Sequence, residues 1–307
     1  MADTELALEL EGAIRSFGGK RALDDLSFKV ERGELFGLVG PDGAGKTTSV
    51  RAIAGLLDLD AGVARVFGAA ATRADVRERL GLMPQQYSLY RDLSVGENLS
   101  FFSQLYALPR AVYLKRRERL LEITRLGPFV DRRADALSGG MYKKLALACA
   151  LLHEPEVLLL DEPTNGVDPV SRRELWALLH EFVERGMAVL ICTPYMDEAE
   201  RCHRIGLLHQ GRLLLQGNMQ AVLHDFADEV YEVKGGEREA IEGELERATN
   251  VCASSPAGSR LRIVVEGGSA ERVAAPLAGL GATLERVTAS FEDVYLAKLW
   301  HEKKVAA

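Results

Sequence analysis

The chain is 307 residues long, 47% hydrophobic and 27% charged, with a formal net charge of -7 at pH 7, enough for one full-sized core and a second, smaller domain. The acidic balance argues against a surface that neutralises nucleic-acid phosphates, so no nucleic-acid partner is expected, and Lys115-Arg116-Arg117 reads as a solvated helix face. The longest apolar run, Leu145 to Leu152, falls far short of the roughly 20 residues that cross a bilayer.

The N-terminal Met1-Ala2-Asp3-Thr4-Glu5 is acidic where an export signal carries positive charge, so a cytoplasmic location is expected. From Glu5 to Val39 the pattern is strand-like, with turns at Gly18-Gly19 and Arg32-Gly33, and Leu35-Phe36-Gly37-Leu38-Val39 is a buried run entering a glycine-rich loop. A helix is predicted from Lys46 to about Leu57. Residues 88–136 read as a helical insertion, with Leu99, Phe102, Leu105, Leu120, Leu121 and Ile123 among many charges. Val157-Leu158-Leu159-Leu160 and Met187-Ala188-Val189-Leu190-Ile191 are apolar runs of strand length separated by a helical pattern from Ser171 to Glu184. That alternation predicts a mostly parallel sheet covered by helices, an α/β fold. A first domain is expected over 1–227. The remaining residues, 228–307, are rich in Glu and Gly and read strand (Val230 to Val233), helix (Glu237 to Ala248), two strands around Pro256-Ala257-Gly258, helix (Ala270 to Leu280) and strand (Thr283 to Thr288). This predicts a small α+β domain of split βαβ, ferredoxin-like order. Cys149, Cys192, Cys202 and Cys252 lack C-x-x-C spacing and read as small core residues rather than a metal site.

Gly40-Pro41-Asp42-Gly43-Ala44-Gly45-Lys46-Thr47 fits G-x-x-x-x-G-K-[ST] between a predicted strand and a predicted helix. Glycines there let backbone N–H groups curl around phosphates, and the helix start adds the positive end of its dipole. Lys46 is then placed to reach the β- and γ-phosphates of a nucleoside triphosphate, and Thr47, followed by Thr48, to offer a hydroxyl to Mg2+. Val157 to Leu160 leads into Asp161-Glu162, an apolar strand ending in two carboxylates. Asp161 is assigned to Mg2+ and Glu162 to the general base that activates water in line with the γ-phosphate.

Leu137-Ser138-Gly139-Gly140-Met141 stands between these motifs and opens a predicted helix from Met141 to Leu152. It resembles the signature of ABC transport ATPases, with Met where glutamine is usual. Ser138 and the N–H groups of Gly139 and Gly140 make an anion-binding helix start with no phosphate of its own. The resemblance implies that this end closes on the γ-phosphate held by a second nucleotide-binding domain, homodimeric or heterodimeric, so that one ATP joins two chains. It further implies a P-loop NTPase fold with an antiparallel β subdomain and a helical insertion, with ATP and Mg2+ as ligands. Met83-Pro84-Gln85 resembles the Q-loop, which puts Gln85 at the metal and the attacking water. Phe17 stands where an aromatic residue stacks on adenine, and Asn165-Gly166-Val167-Asp168 resembles the D-loop that touches the partner's site. A transport ATPase without a spanning segment implies separate permease subunits, which the insertion would meet through Tyr87, Tyr90, Phe101 and Phe102, and a peripheral position on the inner face of the cell membrane.

Within the family, Tyr87 to Leu99, Asp161 to Pro169 and Thr193 to Glu200 most resemble ATP-binding subunits of daunorubicin-resistance-like multidrug exporters, which also carry a short C-terminal domain. In the tail the resemblance rests on Ser290-Phe291-Glu292-Asp293-Val294-Tyr295. One position departs from the family. Pro194 stands where a histidine usually touches the γ-phosphate, and proline offers no donor. Loss of one polar transition-state contact costs about 3 kcal/mol. His203 and His209 lie well downstream and read as surface or packing residues. Two alternatives to an exporter ATPase therefore stand: a regulatory ATP-binding half with weak hydrolysis, and a soluble ABC ATPase acting on ribosomes.

Overall fold

Alternating apolar and polar residues from Leu6 onward fold back on themselves as a long antiparallel hairpin, β1 (Leu6–Phe17) against β2 (Lys20–Glu31). The computed structural model describes residues 5–86 and 89–306. The chain divides into two compact units, the first ending at Gln216 and the second beginning at Gly217.

In the first unit, β3 (Leu35–Val39) is buried at every residue and runs into the glycine-rich loop and α1 (Lys46–Ile53). That helix stops short of the predicted Leu57. The Leu56 and Gly55 N–H groups return to the Arg51 and Ala52 carbonyls, a C-terminal cap with Gly55 at φ +65°. β4 (Ala61–Val66) and β5 (Ala69–Ala70) complete an antiparallel sheet of order β2-β1-β4-β5. After α2 (Ala74–Arg77) and β6 (Leu80–Met83) come the insertion helices α3 (Val95–Leu105) and α4 (Arg110–Ile123). The start of α3 is a capping box between Ser94 and Glu97. Fully buried Asn98 fixes the preceding loop, bonding the N–H and the carbonyl of Tyr90 at 3.0 Å each. Tyr87 lies outside the described residues.

Helix α5 (Gly139–Leu151) is buried on almost every side, as expected of a helix apolar around its circumference. It precedes β7 (Val157–Asp161), α6 (Pro169–Glu184), β8 (Ala188–Thr193), α7 (Met196–Ala199), β9 (Arg204–His209) and β10 (Arg212–Gly217). The second sheet has the order β10-β9-β3-β8-β7-β6, and β3, β6, β7, β8 and β9 pair in parallel. The two sheets share one apolar core, in which Phe28 of β2 stacks on Phe36 of β3 at 5.3 Å. In such a sheet ligands collect at the carboxyl ends of the strands, and those ends of β3, β7 and β8 carry Gly40, Glu162 and Pro194.

In the second unit, α8 (Met219–His224) precedes β11 (Glu229–Gly235), α9 (Arg238–Arg247), β12 (Val251–Ala257), β13 (Arg260–Val265), α10 (Ala270–Gly279), β14 (Ala282–Arg286) and α11 (Phe291–Ala306). The sheet order is β12-β13-β11-β14 with every pair antiparallel, so β13 lies between the strands of the β11-α9-β12 unit in a split βαβ. All four cysteines are buried. The Cys252 sulfur lies within 4.8 Å of ligand atoms on Asp228 and His301, which are paired with each other at 2.8 Å.

Candidate active site

The loop after β3 closes on its own lysine. Lys46 Nζ donates to the carbonyl oxygens of Gly40 and Pro41 at 2.7 and 2.9 Å, and the Gly40 N–H donates to Thr193 O at 3.2 Å, tying the loop to the end of β8. Lys46 is the first residue of α1, so the ammonium and the free N–H groups of that helix start face the same volume. A cleft of about 390 Å³ opens there, lined among others by Phe17, Gly43, Lys46, Thr47, Gln85 and Glu162. Asp42, Gly45 and Thr48 also line it, whereas Gly40, Pro41 and Ala44 form the loop behind. Phe17 is 48% exposed and has the Arg15 guanidinium 4.9 Å from its ring centre.

Asp161 ends β7 in full burial, with Oδ1 lacking a hydrogen-bond partner. Burial pushes its carboxyl above the usual value, opposed by a hydrogen bond from Thr47 and reinforced by the charge of Glu162. The Thr47 hydroxyl, the Gln85 amide oxygen and the unpartnered Asp161 Oδ1 are each hard oxygen donors of the type Mg2+ takes, and Thr47 and Gln85 line the cleft.

Glu162 has left-handed backbone, φ +51°, at the point where the chain leaves the sheet. Its N–H donates to Cys192 O at 2.9 Å, and its own carbonyl accepts from Lys143 Nζ at 3.0 Å. Its carboxylate Oε2 accepts from Gln85 Nε2 at 2.9 Å and from Asn165 Nδ2 at 3.3 Å. Burial lowers Lys143 to about 8, with Glu162 and Glu198 opposing the shift. Lys143 belongs to none of the sequence motifs. The available signal is a lysine pair, Lys143 and Lys144, within an otherwise apolar helix.

Ser138 caps α5, its Oγ accepting from the Met141 N–H at 3.3 Å. Ser138 and Gly139 are exposed, and Ser138, Gly139 and Gly140 do not line the cleft. Gly140 instead packs on the start of α6, where a Cβ would come within 2.4 Å of Ser171 Oγ. Pro194 follows β8. His203 accepts the Leu35 N–H on Nδ1 at 3.2 Å, and neither His203 nor His209 lines the cleft.

A strand-loop-helix with a lysine at its turn, beside a strand that ends in a buried aspartate, is the arrangement of P-loop nucleoside triphosphatases. Residues 23–165 match the profile of the ABC transporter family. The chain is 47% identical over 227 residues, 73% of its length, to the probable multidrug ABC transporter ATP-binding protein YbhF of Escherichia coli (strain K12), and spans 39% of that relative. It is 40% identical over 245 residues to the Nod factor export ATP-binding protein I of Paraburkholderia xenovorans (strain LB400), covering 78% of this chain and 81% of the relative. A solved ATP-binding subunit of an ABC transporter superposes with a TM-score of 0.66 at 30% identity, covering 72% of this chain and 93% of that one. The chain belongs to the ABC transporter family. No helix among the described residues is long and apolar enough to cross a membrane.

Proposed function

We propose that this chain binds and hydrolyses ATP to power an exporter, closing face to face with a second nucleotide-binding domain and driving separate permease subunits from the cytoplasmic face of the membrane. The observation that carries this reading is the separation of its two anion-binding helix starts: the one at Lys46 faces the chain's own cleft, whereas the one at Ser138 is exposed and outside it. A second chain supplying a γ-phosphate would satisfy Ser138, Gly139 and Gly140.

In this reading the loop from Gly40 to Thr48 cradles the phosphates, Lys46 exchanges its two carbonyl partners for phosphate oxygens, and Phe17 stacks on the adenine. Thr47, Asp161 and Gln85 would hold Mg2+, which would supply positive charge to the phosphoryl oxygens. Glu162 takes the proton of the attacking water, and Gln85 keeps its carboxylate aimed. Tyr90, 45% exposed and in edge contact with Phe101 at 4.5 Å, faces the permease. Residues 228–307 act as a separate domain. Pro194 favours a second reading, a regulatory half whose hydrolysis depends on a different partner domain.

Measured on the chain alone, robust Mg2+-dependent ATPase activity supports the first reading and removes the regulatory one. Glu162→Gln is expected to lower turnover at least about 100-fold while trapping ATP in a closed dimer seen by gel filtration. A Glu162→Gln chain that turns over normally, or stays monomeric with ATP bound, overturns the proposal.

A further inference from the structure

We propose that Asn165 and Tyr195 form a positioning arm that holds the Glu162 carboxylate from the loop after β8, where Pro194 itself offers no donor. The inference rests on Glu162 acting as the base, as proposed above. The Tyr195 hydroxyl donates to Asn165 Oδ1 at 3.3 Å, and Asn165 Nδ2 donates to Glu162 Oε2 at 3.3 Å. Each donor in this chain meets an acceptor, so the Asn165 amide has one favoured orientation, with its N–H end toward the carboxylate. Gln85 takes the same oxygen from another element at 2.9 Å. Oε2 is thereby occupied twice, which leaves Oε1 to accept from water.

The far end of the arm is anchored. The Tyr195 N–H donates to Thr193 Oγ1 at 3.1 Å, and the Thr193 hydroxyl donates to Oε2 of fully buried Glu198 at 2.6 Å. Arg172 Nε bonds the other Glu198 oxygen at 2.7 Å, and its guanidinium carbon lies 5.1 Å from the centre of the Tyr195 ring. Thr193 ends β8, which pairs in register with β7 at Asp161 and Cys192. Tyr195 and Glu162 are therefore rooted in neighbouring strands of one sheet, and Pro194, with its fixed φ, stiffens the step between Thr193 and Tyr195. The two 3.3 Å bonds are long for their type and have room to tighten when nucleotide closes the site.

The test compares kcat and KM for Mg2+-ATP in the full chain. Tyr195→Phe, which deletes only the hydroxyl, is expected to lower kcat about 5- to 20-fold with KM within about twofold, since misplacing a catalytic group costs rate rather than ground-state binding. Asn165→Ala should lose at least as much, and the double variant no more than Asn165→Ala alone, because the tyrosine acts through the amide. Wild-type kcat in Tyr195→Phe, or losses that multiply in the double variant, overturns the inference. So does a wild-type chain that cannot hydrolyse ATP by itself. Glu162→Gln assayed alongside separates the two ideas. If it is inactive while Tyr195→Phe is silent, only the arm is wrong; if it turns over normally, the base assignment falls and the arm with it.

Discussion

Gln85 Nε2 donates to Glu162 Oε2 at 2.9 Å across 77 residues of sequence. The bond joins the loop after β6 to the loop after β7, so a shift of the insertion that moves Gln85 also moves the carboxylate. Gln85→Ala removes one of two donors and is expected to lower kcat about 10-fold. Gln85→Glu sets a second carboxylate against the first and should cost about 100-fold or more, because like charges at contact cannot both stay ionised. Nucleotide binding measured without Mg2+ should change little in either. Wild-type turnover in Gln85→Glu would remove Gln85 from the machinery.

Asp161 carries a pH-dependent cost to stability. Burial raises its carboxyl above the ordinary 3.8, with Thr47 opposing the shift. A carboxyl whose folded value exceeds its unfolded one binds protons more tightly in the folded state, so stability falls as pH rises from the unfolded value through the folded one and stays reduced above it. Asp161→Asn removes that penalty and is expected to raise the Tm of the nucleotide-free chain at pH 7, by about 2–4 °C per kcal/mol in a chain of this size. The gain should shrink as the pH approaches 4, and the Mg2+-dependent part of ATP affinity should drop about 10-fold or more. Thermal scans at several pH values check the first; an unchanged or lower Tm at pH 7 contradicts it.

The strand-loop-helix around Gly40 to Thr47 and the strand ending at Asp161 are legible because they are local: spacing alone brings glycine, lysine and threonine to the wall of one cleft. The split βαβ order of the second unit was legible from alternating periodicities. Helix α11 was not, since its mixture of Glu, Lys, Trp and His along Phe291–Ala306 makes only a weak apolar stripe. Nor was the end of α1, which depends on a single left-handed glycine. The bonds from Lys143 and Tyr195 toward Glu162 and Asn165 stayed hidden for a different reason. They depend on how α5 and the loop after β8 meet the loop after β7, and no spacing within one element encodes such a contact. Gly140 reads in the sequence as part of an anion site, whereas its lack of a Cβ also answers to the approach of Ser171.

Arg262 and Asp293 give the second unit its own pH response. Arg262 Nε and Nη2 reach the buried Asp293 carboxylate at 3.0 and 2.7 Å, a two-toothed pair across β13 and α11. The Ser290 N–H and hydroxyl donate to the same group at 2.7 Å each, so the carboxylate also caps the start of α11. Burial opposes ionisation here, but Arg262 and Ser290 outweigh it and hold the carboxyl below its ordinary 3.8. A depressed carboxyl contributes its full stability above the unfolded value and loses it as pH falls through the folded one. Arg262→Ala leaves the buried charge with the Ser290 donors alone and is expected to cost about 3–5 kcal/mol at pH 7. Acid should narrow the gap from wild type, because protonating Asp293 relieves the variant and weakens the wild-type pair. Trp300, packed against this unit's core, reports its unfolding by fluorescence once Trp176 is changed to Phe. Because the pair lies in the second unit and the cleft in the first, kcat for ATP should stay within about twofold of wild type in folded Arg262→Ala. A loss of stability that is equal at pH 7 and pH 4 would show that the arginine acts through packing of its stem rather than through the charge on Asp293.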